Sequence, residues 1–321
     1  MSSRRVLQDL AHPVPPSSSS YDWSDPFPGE PIACSCHRAG SGHAALTQLL
    51  AIREGRGSQY CRWQLATLDG SLENELAEAA CQIADSTMRW RCRGALHDYR
   101  LWRDAVSARV VLAGADRDMV LPFVHTLFGD RQRPNPEEHA RGWVAEFIWF
   151  RIAAEMHVHP ERVLRSLEGP SFHATEPGGD GLAIWQRTND AVLTFCLWEI
   201  KNHVGISALS DTVSRAYQQL DTRATEYLAK FTAVQAVARV DPEVDEVYAR
   251  LVDLWVDNSD RSGAGVAVAT HAQLAPSRCF STMHNHFPGR TGPGQLEGIV
   301  VAIADFVTFT RDVRERVWTA L

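Results

Sequence analysis

The chain has 321 residues, of which 45% are hydrophobic and 22% are charged, and its formal net charge is −7 at pH 7. These values are typical of a soluble globular protein with one or two domains. No apolar run reaches the ~20 residues of a membrane span, no signal peptide is predicted after Arg4-Arg5, and seven cysteines argue against a disulfide framework. We therefore expect a cytoplasmic protein that does not contact a membrane.

The first third of the chain predicts an arm followed by a small domain. Residues 1–30 contain several prolines and the run Ser17–Ser20, which predicts a flexible arm. Residues 31–133 mix strand and helix patterns and predict a small α+β domain without a catalytic motif. Cys34-x-Cys36-His37 lacks further ligands for zinc, so buried free thiols are the default interpretation. The predicted elements are a strand at Tyr60–Leu68, helices at Ser71–Ala84, Leu96–Ala108 and Met119–Phe128, and a strand at Ala108–Ala113.

A second domain, residues 134–321, is predicted to begin with a long apolar helix. Asn135-Pro136 followed by two glutamates is typical of a helix start, and the helix is predicted to end near Met156. Glu146 interrupts an otherwise apolar middle. A carboxylate in such surroundings is costly unless it is paired or meets a cation. Two interpretations stay open: Glu146 pairs with an arginine such as Arg151, or it faces a metal site.

A β-hairpin is predicted after a short strand at Val163–Leu167. The apolar runs Leu182–Trp185 and Ala191–Leu197 flank a polar turn, a pattern typical of a hairpin. If the turn is centred between residues 189 and 190, Asp180 lies directly opposite Glu199. Lys201 follows two residues later and therefore lies on the same face.

Two carboxylates directly across a strand pair repel each other, so their placement needs a physical reason. A divalent cation between Asp180 and Glu199 would remove the repulsion, and oxygen ligands suit Mg²⁺. Lys201 would then hold an attacking water or the charge of a phosphate. The alternative is an exposed hairpin end with a Glu–Lys surface pair, because a one-residue slip in register would move Asp180 to the other face.

The remainder of the chain alternates predicted helices and strands. His203, and the pair His284 and His286, have structural roles as their default interpretation, with phosphate or metal binding as the alternative. The predicted elements are helices at 206–237, 242–256 and 306–321 and strands at 265–269 and 298–304.

The spacing of the hairpin carboxylates resembles the signature of the PD-(D/E)XK nuclease superfamily. Asp180 is followed, after eighteen residues, by Glu199-Ile200-Lys201, and Gly179 stands in place of the proline. The resemblance implies an α/β (α+β) fold with a mixed central sheet flanked by helices. It implies Mg²⁺, or Mn²⁺, bound by Asp180, Glu199, the Ile200 carbonyl and Glu146. It also implies hydrolysis of phosphodiester bonds, with Lys201 as a further catalytic residue; DNA is favoured as the substrate, and RNA stays open as the alternative.

A narrower resemblance concerns the Gly-Gly-Asp-Gly-Leu-x-Ile opening of the hairpin, the Leu-Trp-Glu-Ile-Lys strand and the helix that follows. These are similar to the HamA family, the nuclease subunits of Hachiman anti-phage systems, which act with a helicase. The resemblance implies a defence effector with a helicase partner, and the N-terminal domain is the expected docking surface because it carries no catalytic motif. A non-catalytic nuclease-fold binding module and a stand-alone restriction or repair endonuclease remain the alternatives.

Overall fold

The structure is a computed structural model, and it describes residues 45–55, 60–71, 74–171, 179–234 and 241–321. The predicted arm at 1–30 and Cys34-x-Cys36-His37 lie outside the described residues. The strands are β1 (Ala51–Glu54), β2 (Arg62–Leu68), β3 (Val158–His159), β4 (Arg162–Glu168), β5 (Gly181–Arg187), β6 (Leu193–His203), β7 (Ser262–His271) and β8 (Leu296–Ile303).

The helices pack on both faces of the sheet that these strands form. They are α1 (Leu46–Leu49), α2 (Glu75–Arg91), α3 (Leu96–Ala108), α4 (Gly114–Phe128), α5 (Glu137–Glu155), α6 (Leu209–Val234), α7 (Pro242–Ala249), α8 (Leu251–Val256), α9 (Met283–His286) and α10 (Phe306–Trp318), with a 3-10 turn at Ala272–Leu274. None of the helices in the described part of the chain is long and apolar enough to cross a membrane.

One mixed sheet of eight strands organises the described residues, in the order β1-β2-β8-β7-β6-β5-β4-β3. The pairs β2–β8, β8–β7 and β7–β6 are parallel, whereas β1–β2 and the pairs from β6 to β3 are antiparallel. The central strands β7 and β8 are almost wholly buried, as expected for parallel strands covered on both faces. The expectation of an α/β protein with a mixed sheet between helices is confirmed.

The predicted division at residue 133 is not a boundary in this sheet. Strand β2 pairs in parallel with β8, so Arg62 lies beside Glu297 although the two are far apart in the chain. The predicted N-terminal domain therefore contributes two strands to the sheet of the predicted nuclease domain. The apolar face of α2 packs in the same core as α5 and α10. In the described residues, the strands of the predicted 31–133 domain have β8 as a partner, and α2 buries its apolar face against α10.

Two cores lie on opposite faces of the sheet, and the alternation of side chains along β6 separates them. Trp198 and Ile200 belong to the core beneath α5, whereas Leu197 belongs to the core beneath α6. Successive strand residues point to opposite faces. Residues 199 and 201 therefore lie on the α6 face, and this face is where the candidate site is found.

The sheet curls strongly, which brings its two halves together at one end. Arg162 at the start of β4 forms a two-pronged ion pair with Glu297 at the start of β8. Strands β5, β6 and β7 lie between these two in the sheet order. Arg62 on β2 likewise reaches Glu161, with 2.7 Å between the charged atoms. Contacts across so many strands require the sheet to close partly on itself.

Some local predictions hold and one fails. The helix predicted at Leu96–Ala108 has those bounds. The strand predicted at Ala108–Ala113 is wrong, because Arg109 adopts a left-handed conformation that ends the helix and Val110-Val111 are exposed rather than paired in the sheet. The Leu112 N–H instead donates to the Ala320 carbonyl, 2.8 Å away.

Helix α5 crosses the start of β5 at a glycine, and this crossing positions one side of the site. A Cβ on Gly181 would lie 2.2 Å from the Trp149 ring. We expect Gly181→Ala to lower the free energy of unfolding by about 1–3 kcal/mol, because the ring must move. Urea unfolding followed by circular dichroism measures this. Gly94→Ala is the matched control, because a Cβ there would meet nothing within 4 Å, and an equal loss in both variants would contradict the packing argument.

Candidate active site

The hairpin has the register that the sequence predicts. Gly181 pairs with Trp198 and each further pair keeps the same sum of residue numbers. Extending the ladder by one residue places Asp180 opposite Glu199. Asp180 also lies two residues before Leu182, whose side chain is in the core beneath α6. Asp180, Glu199 and Lys201 therefore share the α6 face of the sheet.

The side chain of Asp180, just before β5 begins, accepts a backbone hydrogen bond from β6 in place of a backbone carbonyl. Its Oδ2 accepts the backbone N–H of Ile200, with 2.6 Å between N and O. In a strand the N–H and C=O of one residue point to the same neighbouring strand. The Ile200 carbonyl therefore also points to the side on which Asp180 lies.

Glu199 is fully buried, with 0% of its surface exposed. Its Oε1 accepts a hydrogen bond from the ammonium of Lys201, whose side chain remains 30% exposed. Its Oε2 is also buried, and no hydrogen-bond donor meets that atom among the described residues. A buried carboxylate oxygen without a donor costs free energy, on the order of 1–3 kcal/mol or more. The atom is therefore a natural position for a cation.

Glu146 faces the hairpin from α5. It is half-buried, and the charges of Asp180, Lys201 and Glu199 all act on it. Arg151, the arginine that could have paired with it, instead binds Glu155 at 2.5 Å. Of the two interpretations of Glu146, the described contacts favour the one in which it faces the other two carboxylates.

Burial raises the pKa of every carboxyl in this group, and repulsion between carboxylates adds to the rise for Glu199 and Glu146. Burial first, and then the charge of Asp180, raise the pKa of Glu199 to about 8 and that of Glu146 well above its ordinary value. Burial also raises the pKa of Asp180, although Lys201 and the Ile200 N–H act in the opposite direction. Burial lowers the pKa of Lys201, but Glu199 and Asp180 outweigh it and the net shift is upward. One ammonium does not neutralise three carboxylates.

Helix α6 adds residues to the site that the sequence pattern did not single out. Tyr227 is buried beneath the helix, and its hydroxyl accepts the side-chain N–H of Gln219 at 2.8 Å. Its phenol is close enough for Glu199 and Asp180 to raise its pKa, after the larger effect of burial. Arg223 lies over the Tyr227 ring, 5.0 Å from its centre. Tyr227 follows the core residues Leu220 and Ala224 at helical spacing, a signal that marks its position but not its role.

Each histidine that the sequence raised makes a contact outside the carboxylate group. His203 is buried and its Nδ1 bonds the Thr212 hydroxyl at 2.9 Å, which is a structural contact. The ring of His286 lies 5.5 Å from that of Tyr217, and the ring of His284 lies 5.2 Å from that of Tyr60. In the ranges that the structure describes, no three His, Cys, Asp or Glu side chains are gathered as a preformed metal cage.

The donor chemistry nevertheless fits a hard divalent cation. Glu199 Oε2 is buried without a donor, Asp180 lies across from it, and Glu146 adds a third carboxyl. Mg²⁺ is held by one or two carboxylates and keeps several waters, so it does not need a complete protein cage. Asp180, Glu199, the Ile200 carbonyl and Glu146 are the groups that would hold it.

The chain matches no protein-family model, and no curated protein matches it.

With metal removed by a chelator, we expect the stability of Glu199→Gln relative to the parent chain to increase as the pH rises from about 5 to about 8. The pKa of Glu199 is about 8 in the folded chain against an ordinary value of 4.5, so folding tightens proton binding. The resulting stabilisation is complete below the unfolded pKa and is lost as the pH rises through the folded pKa. Glutamine has no such proton to lose, so the relative gain reaches the order of a few kcal/mol.

Urea unfolding at about pH 5, 6.5 and 8 measures this difference, because the three values span the shift. Glu246→Gln is the control, since Glu246 on α7 is exposed and pairs with Arg250 on the surface. A difference for Glu199→Gln that does not change with pH would show that the buried carboxyl is not strained.

Proposed function

We propose that the chain is a Mg²⁺-dependent nuclease that hydrolyses phosphodiester bonds. The observation that carries this proposal is the placement of Asp180 and Glu199 on one sheet face, one residue beyond the Gly181–Trp198 pair. The Glu199 Oε2 is buried without a donor, and Lys201 contacts the other oxygen of the same carboxylate. Three carboxyls that have raised pKa values and act on one another favour a site that is completed by a cation. Mn²⁺, which accepts the same oxygen ligands, would serve in its place.

The element order supports assigning a PD-(D/E)XK core to this chain. Helix α5 is followed by the antiparallel strands β4, β5 and β6, then by α6 and the parallel strand β7. The carboxylates lie where β5 begins and β6 approaches its end. This is the arrangement that the sequence resemblance implies, and it supports reading α6 as the helix along which a nucleic-acid strand would run.

Each side chain then has a defined task. A divalent cation, when bound, would polarise the scissile phosphate and lower the pKa of a coordinated water. Glu199 Oε2 and Asp180 would hold it, and Glu146 would add a further carboxylate oxygen. The Lys201 ammonium, already attached to Glu199 Oε1, orients the attacking water or stabilises the charge that develops on the phosphate.

A binding module without catalysis is the second candidate, and the same residues argue against it. A protein that binds without cutting has no use for two opposed carboxylates, one of which is buried with an oxygen that lacks a donor. The side chain of Lys201 is 30% exposed and so remains accessible to a substrate phosphate. We therefore favour catalysis.

DNA is the favoured substrate, and a helicase is the favoured partner, on the resemblance to the nuclease subunits of Hachiman anti-phage systems. The net charge of −7 gives little long-range attraction for a polyanion, which favours a partner over a stand-alone restriction or repair enzyme.

Val110 and Val111 between α3 and α4 are 52% and 65% exposed, and Met119 on α4 is 39% exposed. We place the docking contact at these exposed apolar side chains.

The decisive experiment incubates the purified chain with supercoiled, linear and single-stranded DNA and with RNA, each with Mg²⁺ and with EDTA. We expect cleavage of DNA with Mg²⁺ and none with EDTA. No cleavage in any condition, alone or with a co-purified helicase, would contradict a catalytic function.

Capture of a helicase by the parent chain but not by Val111→Asp would support the docking surface, whereas equal capture by both would contradict it.

A further inference from the structure

Arg215 on α6 is an exposed arginine whose guanidinium is not occupied by a carboxylate. Among the described residues it forms no ion pair, and its Nη2 donates to the Thr212 hydroxyl, 3.1 Å away. Asp211 lies one turn earlier, at a spacing that commonly gives an ion pair on a helix, yet the guanidinium binds Thr212 instead. By contrast, Arg223, two turns further along α6, pairs with Glu226 at 2.8 Å. The charge of Arg215 is therefore free for an anionic ligand.

The contact with Thr212 holds Arg215 against the strand that carries the candidate active site. The Thr212 hydroxyl also bonds His203 Nδ1, 2.9 Å away, so one hydroxyl joins the guanidinium to the end of β6. The pairing of β6 with β7 runs without a break to His203. Glu199, Lys201 and His203 therefore point to the same face of the sheet, and Arg215 stands over this face beyond Lys201.

The separation along β6 matches the spacing of phosphates in nucleic acid. Glu199 and His203 are four residues apart, which is about 13 Å at about 3.3 Å per strand residue. One strand of duplex DNA carries a phosphate about every 3.4 Å along its axis. A strand that follows β6 from the carboxylates would thus bring a phosphate to Arg215 within about four nucleotides.

We propose that Arg215 binds a backbone phosphate of nucleic acid on the side of the active site where β6 ends. Its guanidinium donates two parallel N–H groups to two phosphate oxygens, the usual arrangement of arginine with phosphate. This contact fixes the path of the strand across the carboxylates without reading its sequence. The assignment rests on the proposed function, because the carboxylates set where the scissile phosphate lies.

The test measures binding in EDTA, so that its result does not depend on catalysis. Fluorescence anisotropy follows a labelled DNA duplex, a DNA single strand and an RNA duplex, each over a range of salt concentrations. Each phosphate contact contributes about 0.9 to the slope of log K against log salt for duplex DNA, and about 0.7 for a single strand. We expect Arg215→Gln to reduce the slope by about that amount and to weaken binding roughly 3–10-fold.

Two further variants separate a phosphate contact from a general effect of charge. Arg53 on β1 is also exposed and forms no ion pair within the described part of the chain, and three other strands lie between β1 and β6 in the sheet. Arg53→Gln changes the net charge equally and should keep the slope of the parent chain. Arg215→Lys keeps the charge but not the two parallel N–H groups, so it should keep the slope and bind more weakly than the parent.

Cleavage with Mg²⁺ distinguishes this assignment from the proposed function. Arg215→Gln should raise KM for the nucleic acid roughly 3–10-fold and leave kcat close to that of the parent, because Arg215 lies away from the reacting phosphate. A fall in kcat with an unchanged KM would overturn the assignment to a neighbouring phosphate. A chain that cuts DNA, but has equal salt slopes in Arg215→Gln and Arg53→Gln, would overturn the contact and leave the nuclease in place.

The remaining outcomes also decide the assignment. A parent chain that loses slope in Arg215→Gln but never cuts supports the contact and overturns the nuclease. Loss of slope with RNA alone, or with DNA alone, supports the contact and identifies the polymer that the surface accepts. A parent chain that binds none of the three polymers, even at low salt, overturns the contact.

Discussion

Replacing Asp180 by asparagine or Glu199 by glutamine is expected to reduce Mg²⁺-dependent DNA cleavage by at least about 10²–10³-fold, the usual effect of removing a group that acts on the transition state. Each change keeps the size of the side chain but removes the charge that would hold the cation. Lys201→Met should cause a similar loss, because its ammonium is the positive charge that contacts Glu199. Single-turnover cleavage of a labelled duplex measures all three.

Two controls separate loss of chemistry from loss of structure. Glu246→Gln changes an exposed carboxylate on α7 and should cut DNA at the parent rate. Each inactive variant should also keep the far-ultraviolet circular dichroism of the parent. Full activity in Asp180→Asn would exclude the assigned role of Asp180, and activity in all three variants would exclude this face of the sheet as the active site.

Mg²⁺ is expected to raise the Tm of the parent chain by a few degrees and to leave the Tm of Glu199→Gln unchanged. A ligand that binds only the folded state stabilises by about 2.7 kcal/mol at a hundred times its Kd. We expect Mg²⁺ to stabilise the folded chain more at this site than at exposed surface carboxylates. The cation neutralises charge on Asp180, Glu199 and Glu146, whose pKa values are all raised. Thermal unfolding with Mg²⁺ and with EDTA measures the shift.

The same melts test the metal-free state. Without metal, Glu199→Gln should melt at the parent temperature or above it, because the neutral side chain removes buried charge while an amide oxygen still faces Lys201. A clear fall in the metal-free Tm would mean that the Lys201–Glu199 ion pair itself stabilises the fold. The carboxylates would then be structural, and the interpretation as a Glu–Lys pair would replace the metal site.

The local part of the site was predictable from the sequence because the residue numbers of each pair in a hairpin add to the same sum, which the turn sets. Once the turn was centred between residues 189 and 190, the pairing of Gly181 with Trp198, and hence of Asp180 with Glu199, followed from chain geometry alone. The bounds of α3 followed in the same way from helical periodicity. Both depend on neighbours in the chain.

What could not be predicted depends on contacts between distant segments. Nothing in residues 60–68 indicates that β2 will join the sheet beside β8, so the region was assigned to a domain of its own. Glu146 could have paired with Arg151, and only the tertiary arrangement shows that Arg151 is taken by Glu155. Tyr227 reads as one more core residue of α6 until the helix is seen above the carboxylates.

The most direct test of the central claim is a crystal structure of the chain soaked with Mn²⁺, located by its anomalous scattering. We predict a peak between Asp180 and Glu199, within coordination distance of Glu199 Oε2 (about 2.1 Å for Mg²⁺), and no peak in Glu199→Gln crystals treated identically. Crystals of the parent chain with no anomalous peak near these carboxylates, and with the Lys201–Glu199 contact unchanged, would contradict the metal centre and the catalytic function proposed from it.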